Sequence, residues 1–375
     1  MNPLQQCHQL GQSLWFDFIS RDLLASGGLA RLIRDDGING VTSNPAIFEK
    51  AIAATSDYDA ALAPLVAAGE RDPERLFESL AIADIVAAAD ALHGKYVESR
   101  AQDGYVSLEV SPQLALDESA TVAAARRLWK AVARPNLMIK VPGTPAGAGA
   151  LRQLIADGIN VNVTLLFARS AYAAVAQAYL EGLEQWVAQG GDPARVASVA
   201  SFFVSRIDSA MDAEINLRLS AADDAQRQAL TALLGQVAIA NAKLAYADYQ
   251  RFIAQPRWQA LAAKGAQPQR LLWASTGTKN PAYRDVIYVE ALLGPQTVNT
   301  VPPATLDAFR DHGVAQVRLT EGLDAAKAVF ASVERLQLPL DAITERLVVE
   351  GLKLFADAHD SLLKAVAGKR DALLK

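Results

Sequence analysis

Cysteine is almost missing from this chain: among 375 residues only Cys7 carries a thiol. No disulfide can close within it, and no thiolate cluster can hold a metal. Histidine is nearly as scarce. His8, His93, His312 and His359 are the only four, and none stands at metal-ligand spacing from another histidine or from the cysteine. Any acid–base chemistry therefore falls to carboxylates and lysine. A surplus of positive charge is also absent. The formal net charge is −5, which argues against a nucleic-acid partner. No apolar run approaches the ~18 residues of a membrane span, so no membrane partner is expected. Met1 to Leu10 has no basic segment followed by an apolar core, so no secretory signal is read and a cytoplasmic location is expected. Gly143-Thr144-Pro145-Ala146-Gly147-Ala148-Gly149 is glycine-rich, but it is neither a P-loop nor a GxGxxG fingerprint, and no nucleotide site is read there. Low-complexity tails, charge blocks and linkers are missing as well.

What is present is ordinary globular material, 51% hydrophobic and 21% charged, with ample length to bury a core. The stretch that stands out is Leu137-Met138-Ile139-Lys140-Val141, with Pro135 before it and Pro142 after it. It is too short and too apolar for an exposed helix, and reads as a buried strand of a parallel sheet. Lys140 breaks its pattern. Burial disfavours an ammonium, and a neutral amine is a nucleophile toward carbonyls, the chemistry of Schiff bases. Alternatively, Lys140 snorkels out of the sheet end.

Eight such strands are expected, near 14–18, 40–44, 105–110, 136–141, 159–164, 196–202, 270–275 and 297–301. Each is followed by helical periodicity, for example 73–93 after Asp72-Pro73, a cap and first-position proline. That alternation is the order of a (β/α)₈ TIM barrel, with additional N- and C-terminal helices. A single domain over 1–375 is expected, with 313–375 as a C-terminal helical extension packed on the barrel. The helices there either form a homodimer interface or cover the barrel. In this fold chemistry sits at the C-terminal strand ends. Asp17, Asn44, Glu109, Lys140, Asn162, Thr164, Ser201 and Ser275 all fall at or near those ends. Taken singly each has a bland reading. Asp17 would cap a helix from Arg21 to Asp35, Asn44 would cap the helix opening at Pro45, and Asn160, Asn162 and Thr164 would face water from an edge strand. Ser275-Thr276-Gly277-Thr278-Lys279 would be either a plain turn or a phosphate-holding loop. Their convergence on one end of a barrel favours a site.

Four motifs carry a resemblance: Thr42-Ser43-Asn44-Pro45-Ala46-Ile47-Phe48-Glu49-Lys50, Val106-Ser107-Leu108-Glu109-Val110-Ser111-Pro112, Asn136 to Pro145, and Asn160 to Phe167. Together, and in this order, they resemble the transaldolase family, its longer bacterial type in particular, over about residues 13–310. The resemblance implies transfer of a dihydroxyacetone unit between sugar phosphates, in the non-oxidative pentose phosphate branch, without metal or organic cofactor. The donors it implies are fructose 6-phosphate and sedoheptulose 7-phosphate; the acceptors are erythrose 4-phosphate and glyceraldehyde 3-phosphate. It further implies that Lys140 forms the Schiff base, that Asp17 takes the proton of the donor's C4 hydroxyl, and that Glu109 shuttles protons through a water held with Thr164. Asn44 and Asn162 would bind the dihydroxyacetone hydroxyls, Ser201 and Phe203 would line the pocket, and Arg206, Ser275 and Lys279 would contact phosphate. One departure is the run Ala146-Gly147-Ala148-Gly149, poorer in side chains than the resemblance leads one to expect. An aldolase on the same barrel needs the same lysine, and Glu109 is the residue that speaks for a transferase.

Overall fold

The computed structural model describes residues 2–375. Its eight strands are β1 (Gln12–Phe16), β2 (Gly40–Val41), β3 (Tyr105–Glu109), β4 (Leu137–Pro142), β5 (Val161–Leu166), β6 (Ser198–Phe203), β7 (Arg270–Ala274) and β8 (Thr297–Val301). They are parallel and close in sequence order, β8 returning to β1 with Phe16 opposite Val301. This is the expected (β/α)₈ TIM barrel. Pro3–Gln9 precedes β1, and Leu323–Arg335 and Leu340–Leu373 follow the helix after β8. The edge-strand reading of Asn160, Asn162 and Thr164 fails, because a closed barrel has no edge; all three are buried.

A strand with helices outside and packed side chains inside meets no water on either face, so it reads as continuous apolar sequence. β4 is buried at all six positions. The turn that follows is written locally. Thr144 is extended and its hydroxyl accepts from Gly147 N, while Pro145 fills the first helical position of Pro145–Ala156. Asn44 with Pro45 and Asp72 with Pro73 repeat the device, with Asn44 Oδ1 accepting from Ile47 N.

Several boundaries differ from expectation; β5, for one, begins and ends two residues later than 159–164. β1 begins and ends two residues earlier than 14–18, so Asp17 stands one residue past the strand. β2 pairs over only two residues, because Asn44 already belongs to the helix cap. The helix expected over 21–35 is broken into Arg21–Ala25, Gly28–Arg31 and a π-helical turn Leu32–Asp36, divided where Gly27 turns left-handed at φ 69°. Ser20, not Asp17, caps its first piece, accepting from Leu23 N.

Candidate active site

Register brings the central residues level. Glu109 on β3 pairs with Lys140 on β4, and Lys140 pairs with Asn162 on β5. Side chains alternate across a strand, so three residues at one register level project to one face. Lys140 is 6% exposed. Its Nζ donates to the carbonyl oxygen of Ser43 at 3.2 Å. It also lies 3.2 Å from Glu109 Oε2, near enough to pair as ions, though the angles are not those of a hydrogen bond and neither oxygen of that carboxylate has a hydrogen-bond partner among the described residues. Thr164 Oγ1 is equally unpartnered and buried. Burial raises the Glu109 carboxyl above the usual carboxylate range, the Lys140 ammonium opposes that rise, and the Asp17 charge adds to it.

Asp17 is half-buried, and its Oδ1 accepts from Thr42 Oγ1 at 2.7 Å. The helix-capping reading is thereby replaced by a side-chain contact between the ends of β1 and β2. A polar chain crosses β6, β5 and β3: Ser201 Oγ donates to Asn162 Oδ1 at 2.7 Å, and Asn162 Nδ2 donates to Ser107 Oγ at 3.0 Å. These bonds leave one N–H of Asn162 uncommitted. Asn44 spends its oxygen on the cap and keeps both N–H groups.

Around β6 and β7 the site becomes aromatic and cationic. Phe203 packs on Phe167 at 5.1 Å between centroids, and the Arg206 guanidinium lies 5.4 Å from the Phe203 ring. Burial lowers the Arg206 pKa, against the field of Glu350, and among the described residues no carboxylate stands within ion-pair distance of it. Ser275 adopts φ 56° with its hydroxyl 3.0 Å from Ser205 Oγ. Lys279 is exposed four residues further along this loop. Of the residues expected at the site, it is the one the structure leaves outside the buried cluster. Among the described residues no three His, Cys, Asp or Glu side chains group as around a metal ion, and no helix is long and apolar enough to cross a membrane.

The largest addition comes from the far end of the chain. The Leu340–Leu373 helix lies across the C-terminal mouth of the barrel. Phe355 on this helix is buried, with its ring centroid 5.6 Å from Lys140 Nζ. Gly351 permits the approach: a Cβ there would stand 2.8 Å from Leu165 Cδ2. Leu165 itself sits at φ 61°, where the β5–β6 register shifts between Val163 and Leu166, and such bulges re-aim side chains. Sequence reasoning missed Thr42, Ser43, Ser107 and Phe355. Thr42, Ser43 and Ser107 lie inside motifs already singled out, but Ser43 contributes a backbone oxygen, which no side-chain pattern announces. Phe355 lies in an amphipathic helix with no local mark of function.

Residues 14–366 match the family described as Transaldolase/Fructose-6-phosphate aldolase. The chain is 47% identical over 371 residues to the protein named Transaldolase from Trichodesmium erythraeum (strain IMS101), covering 98% of this chain and 97% of that one. It is 49% identical over 366 residues to Transaldolase from Thiobacillus denitrificans (strain ATCC 25259 / T1), with 98% and 100% covered. It is 46% identical over 366 residues to Transaldolase from Neisseria gonorrhoeae (strain ATCC 700825 / FA 1090), with 97% and 99% covered.

Proposed function

The chain belongs to the transaldolase/fructose-6-phosphate aldolase family, and on that premise we propose that it is a transaldolase working through a Schiff base on Lys140. The observation that carries the reading is the level row Glu109, Lys140 and Asn162, with Nζ 3.2 Å from the buried Glu109 carboxylate. The amine of Lys140 adds to the C2 carbonyl of a ketose phosphate, fructose 6-phosphate or sedoheptulose 7-phosphate. The carbinolamine then loses water to give an iminium. Glu109, whose carboxyl burial holds above the usual carboxylate range, moves protons in this step through a water shared with Thr164 Oγ1. The two side chains have no hydrogen-bond partners among the described residues, which supports that assignment.

Asp17, steadied by Thr42, takes the proton of the C4 hydroxyl as the C3–C4 bond breaks. The bonding pair flows into the iminium and leaves an enamine on Lys140, while an aldose phosphate departs. The free N–H groups of Asn44 and Asn162, with Ser201, hold the three-carbon unit. Arg206 and the Ser275 loop, with Lys279 from solvent, meet the phosphate; an unpaired guanidinium suits that dianion. An acceptor, glyceraldehyde 3-phosphate or erythrose 4-phosphate, takes up C3 of the enamine, and the steps run in reverse.

The test is product formation from fructose 6-phosphate with and without erythrose 4-phosphate, in wild type and Lys140→Ala, together with borohydride trapping of the imine. Glyceraldehyde 3-phosphate should appear only with acceptor, and a reduced adduct should form only in wild type. Release of free dihydroxyacetone without acceptor, at the rate of transfer, would make the chain an aldolase and overturn the role given to Glu109.

A further inference from the structure

A transferase has to hold its enamine until an acceptor arrives. In this barrel the side chain placed to do so comes from the last helix. Gly351, Phe355 and His359 recur at intervals of four on Leu340–Leu373 and are all buried, so they form one stripe on one helix face. The stripe is pressed onto the barrel mouth at several points. Gly351 rests on Leu165 at the β5 bulge. His359 meets the ring of Phe77 edge-on, 6.0 Å between centroids. Beyond them Lys369 Nζ donates to Thr55 O at 2.8 Å and to Asp59 Oδ1 at 2.6 Å. Held at these points, the helix sets the Phe355 ring over Lys140 with the amine 5.6 Å from its centroid. The polar groups closest to Nζ are the Ser43 carbonyl oxygen and the Glu109 carboxylate. Phe355 adds an apolar surface beside them.

We propose that Phe355 is a specificity-determining residue, an apolar roof over Lys140 that keeps solvent from the enamine and so sets the division between transfer and release of free dihydroxyacetone. This rests on the Schiff-base reading of Lys140. The reaction being suppressed is simple. A water proton adds to the enamine carbon and converts the enamine to the dihydroxyacetone iminium. The hydroxide left behind adds to C2, and the C–N bond breaks to return the neutral Lys140 amine. One water is consumed overall and no redox partner is needed. Filling the space over the reacting atoms with a buried ring excludes that water, and the ring face also attracts the cationic iminium that precedes the enamine.

The experiment follows the fate of cleaved fructose 6-phosphate in wild type, Phe355→Leu and Phe355→Ala, at a fixed erythrose 4-phosphate concentration. Free dihydroxyacetone and sedoheptulose 7-phosphate are quantified in the same samples. The ratio of free ketone to transfer product should rise several-fold in Phe355→Ala and less in Phe355→Leu, which keeps bulk but not the ring. Val349→Ala, on the exposed side of the same helix, should leave the ratio at the wild-type value. A merely structural role would lower both products together. An unchanged ratio in Phe355→Leu, whether or not the alanine variant folds, would overturn the inference. Absence of any transfer by the unsubstituted chain is a separate result, which refutes the transaldolase reading and this inference with it.

Discussion

The small residues after Lys140 offer a sharp test of how the site is held. Gly147 and Gly149 lie two residues apart in the helix Pro145–Ala156. On propensity alone each would gain ~1 kcal/mol by becoming alanine. Their surroundings separate them. A Cβ on Gly147 would stand 1.8 Å from the carbonyl oxygen of Pro142 and 3.0 Å from the carbonyl carbon. Those are backbone atoms at the end of β4, and no rotamer change moves them. A Cβ on Gly149 would meet the Glu118 carboxylate at 2.1 Å, the far end of a half-buried, flexible side chain. The run that looked poor in side chains is therefore a packing requirement, since the helix sits directly on the strand end that carries the lysine.

For Gly147→Ala, overpacking of ~1–3 kcal/mol applies at its upper end and is set against ~1 kcal/mol of propensity, a net loss of about 1–2 kcal/mol. Pro142 is two residues from Lys140, and a shift of ~1 Å at a reacting group costs ~10²-fold in rate. Gly149→Ala loses only some of the freedom of Glu118, whose Oε1 accepts from Gln153 at 2.6 Å. It should be neutral or slightly stabilised, with unaltered kcat. Urea unfolding midpoints followed by circular dichroism, with steady-state kcat on the same preparations, would compare the two. If Gly147→Ala proves as stable and as active as Gly149→Ala, the direct seating of this helix on β4 is not what positions Lys140.

Three further outcomes follow from the electrostatics. Since burial raises the Glu109 carboxyl, the acid limb of the kcat/KM profile should lie above the ordinary carboxylate range, and Glu109→Gln should abolish that limb while lowering kcat by ~10²–10⁴-fold; a wild-type limb at the ordinary range would contradict the role. Asp208 is buried, and desolvation pushes its carboxyl up to about 7, helped by Asp212 and opposed by the Ala238 N–H and Tyr288 O–H that it accepts from. The folded state then holds this proton more tightly than the unfolded chain, so the associated stability is present below the ordinary carboxylate value and lost as pH rises toward about 7. Unfolding midpoints should therefore fall over that window in wild type more steeply than in Asp208→Asn, and parallel profiles would refute the assignment. Arg206→Gln should raise KM for a phosphorylated donor by about 10–100-fold, the value of a hydrogen bond to a charged group, with a far smaller change for the same sugar lacking phosphate; equal effects on both would remove Arg206 from phosphate binding.

Local signals along the chain were enough to read the barrel and to single out the strand that carries Lys140. Strands covered on both sides must be short and apolar, helices must carry periodic faces, and caps such as Thr144-Pro145 mark where one gives way to the other; each signal spans only a few residues. Lys140 and Glu109 stood out for the same reason, as charges inside runs that otherwise exclude water. Tertiary structure alone decided the rest. Register set Glu109, Lys140 and Asn162 level, and strand ends that are far apart in the chain gave Asp17 to Thr42 and Ser201 to Asn162. The last helix shows the limit most plainly. Its apolar stripe reads the same whether it faces a subunit, the barrel wall or the barrel mouth, because periodicity says that a face must be buried and not against what. Only the packed chain, with Gly351 against Leu165 and Phe355 over Lys140, put that stripe beside the buried lysine.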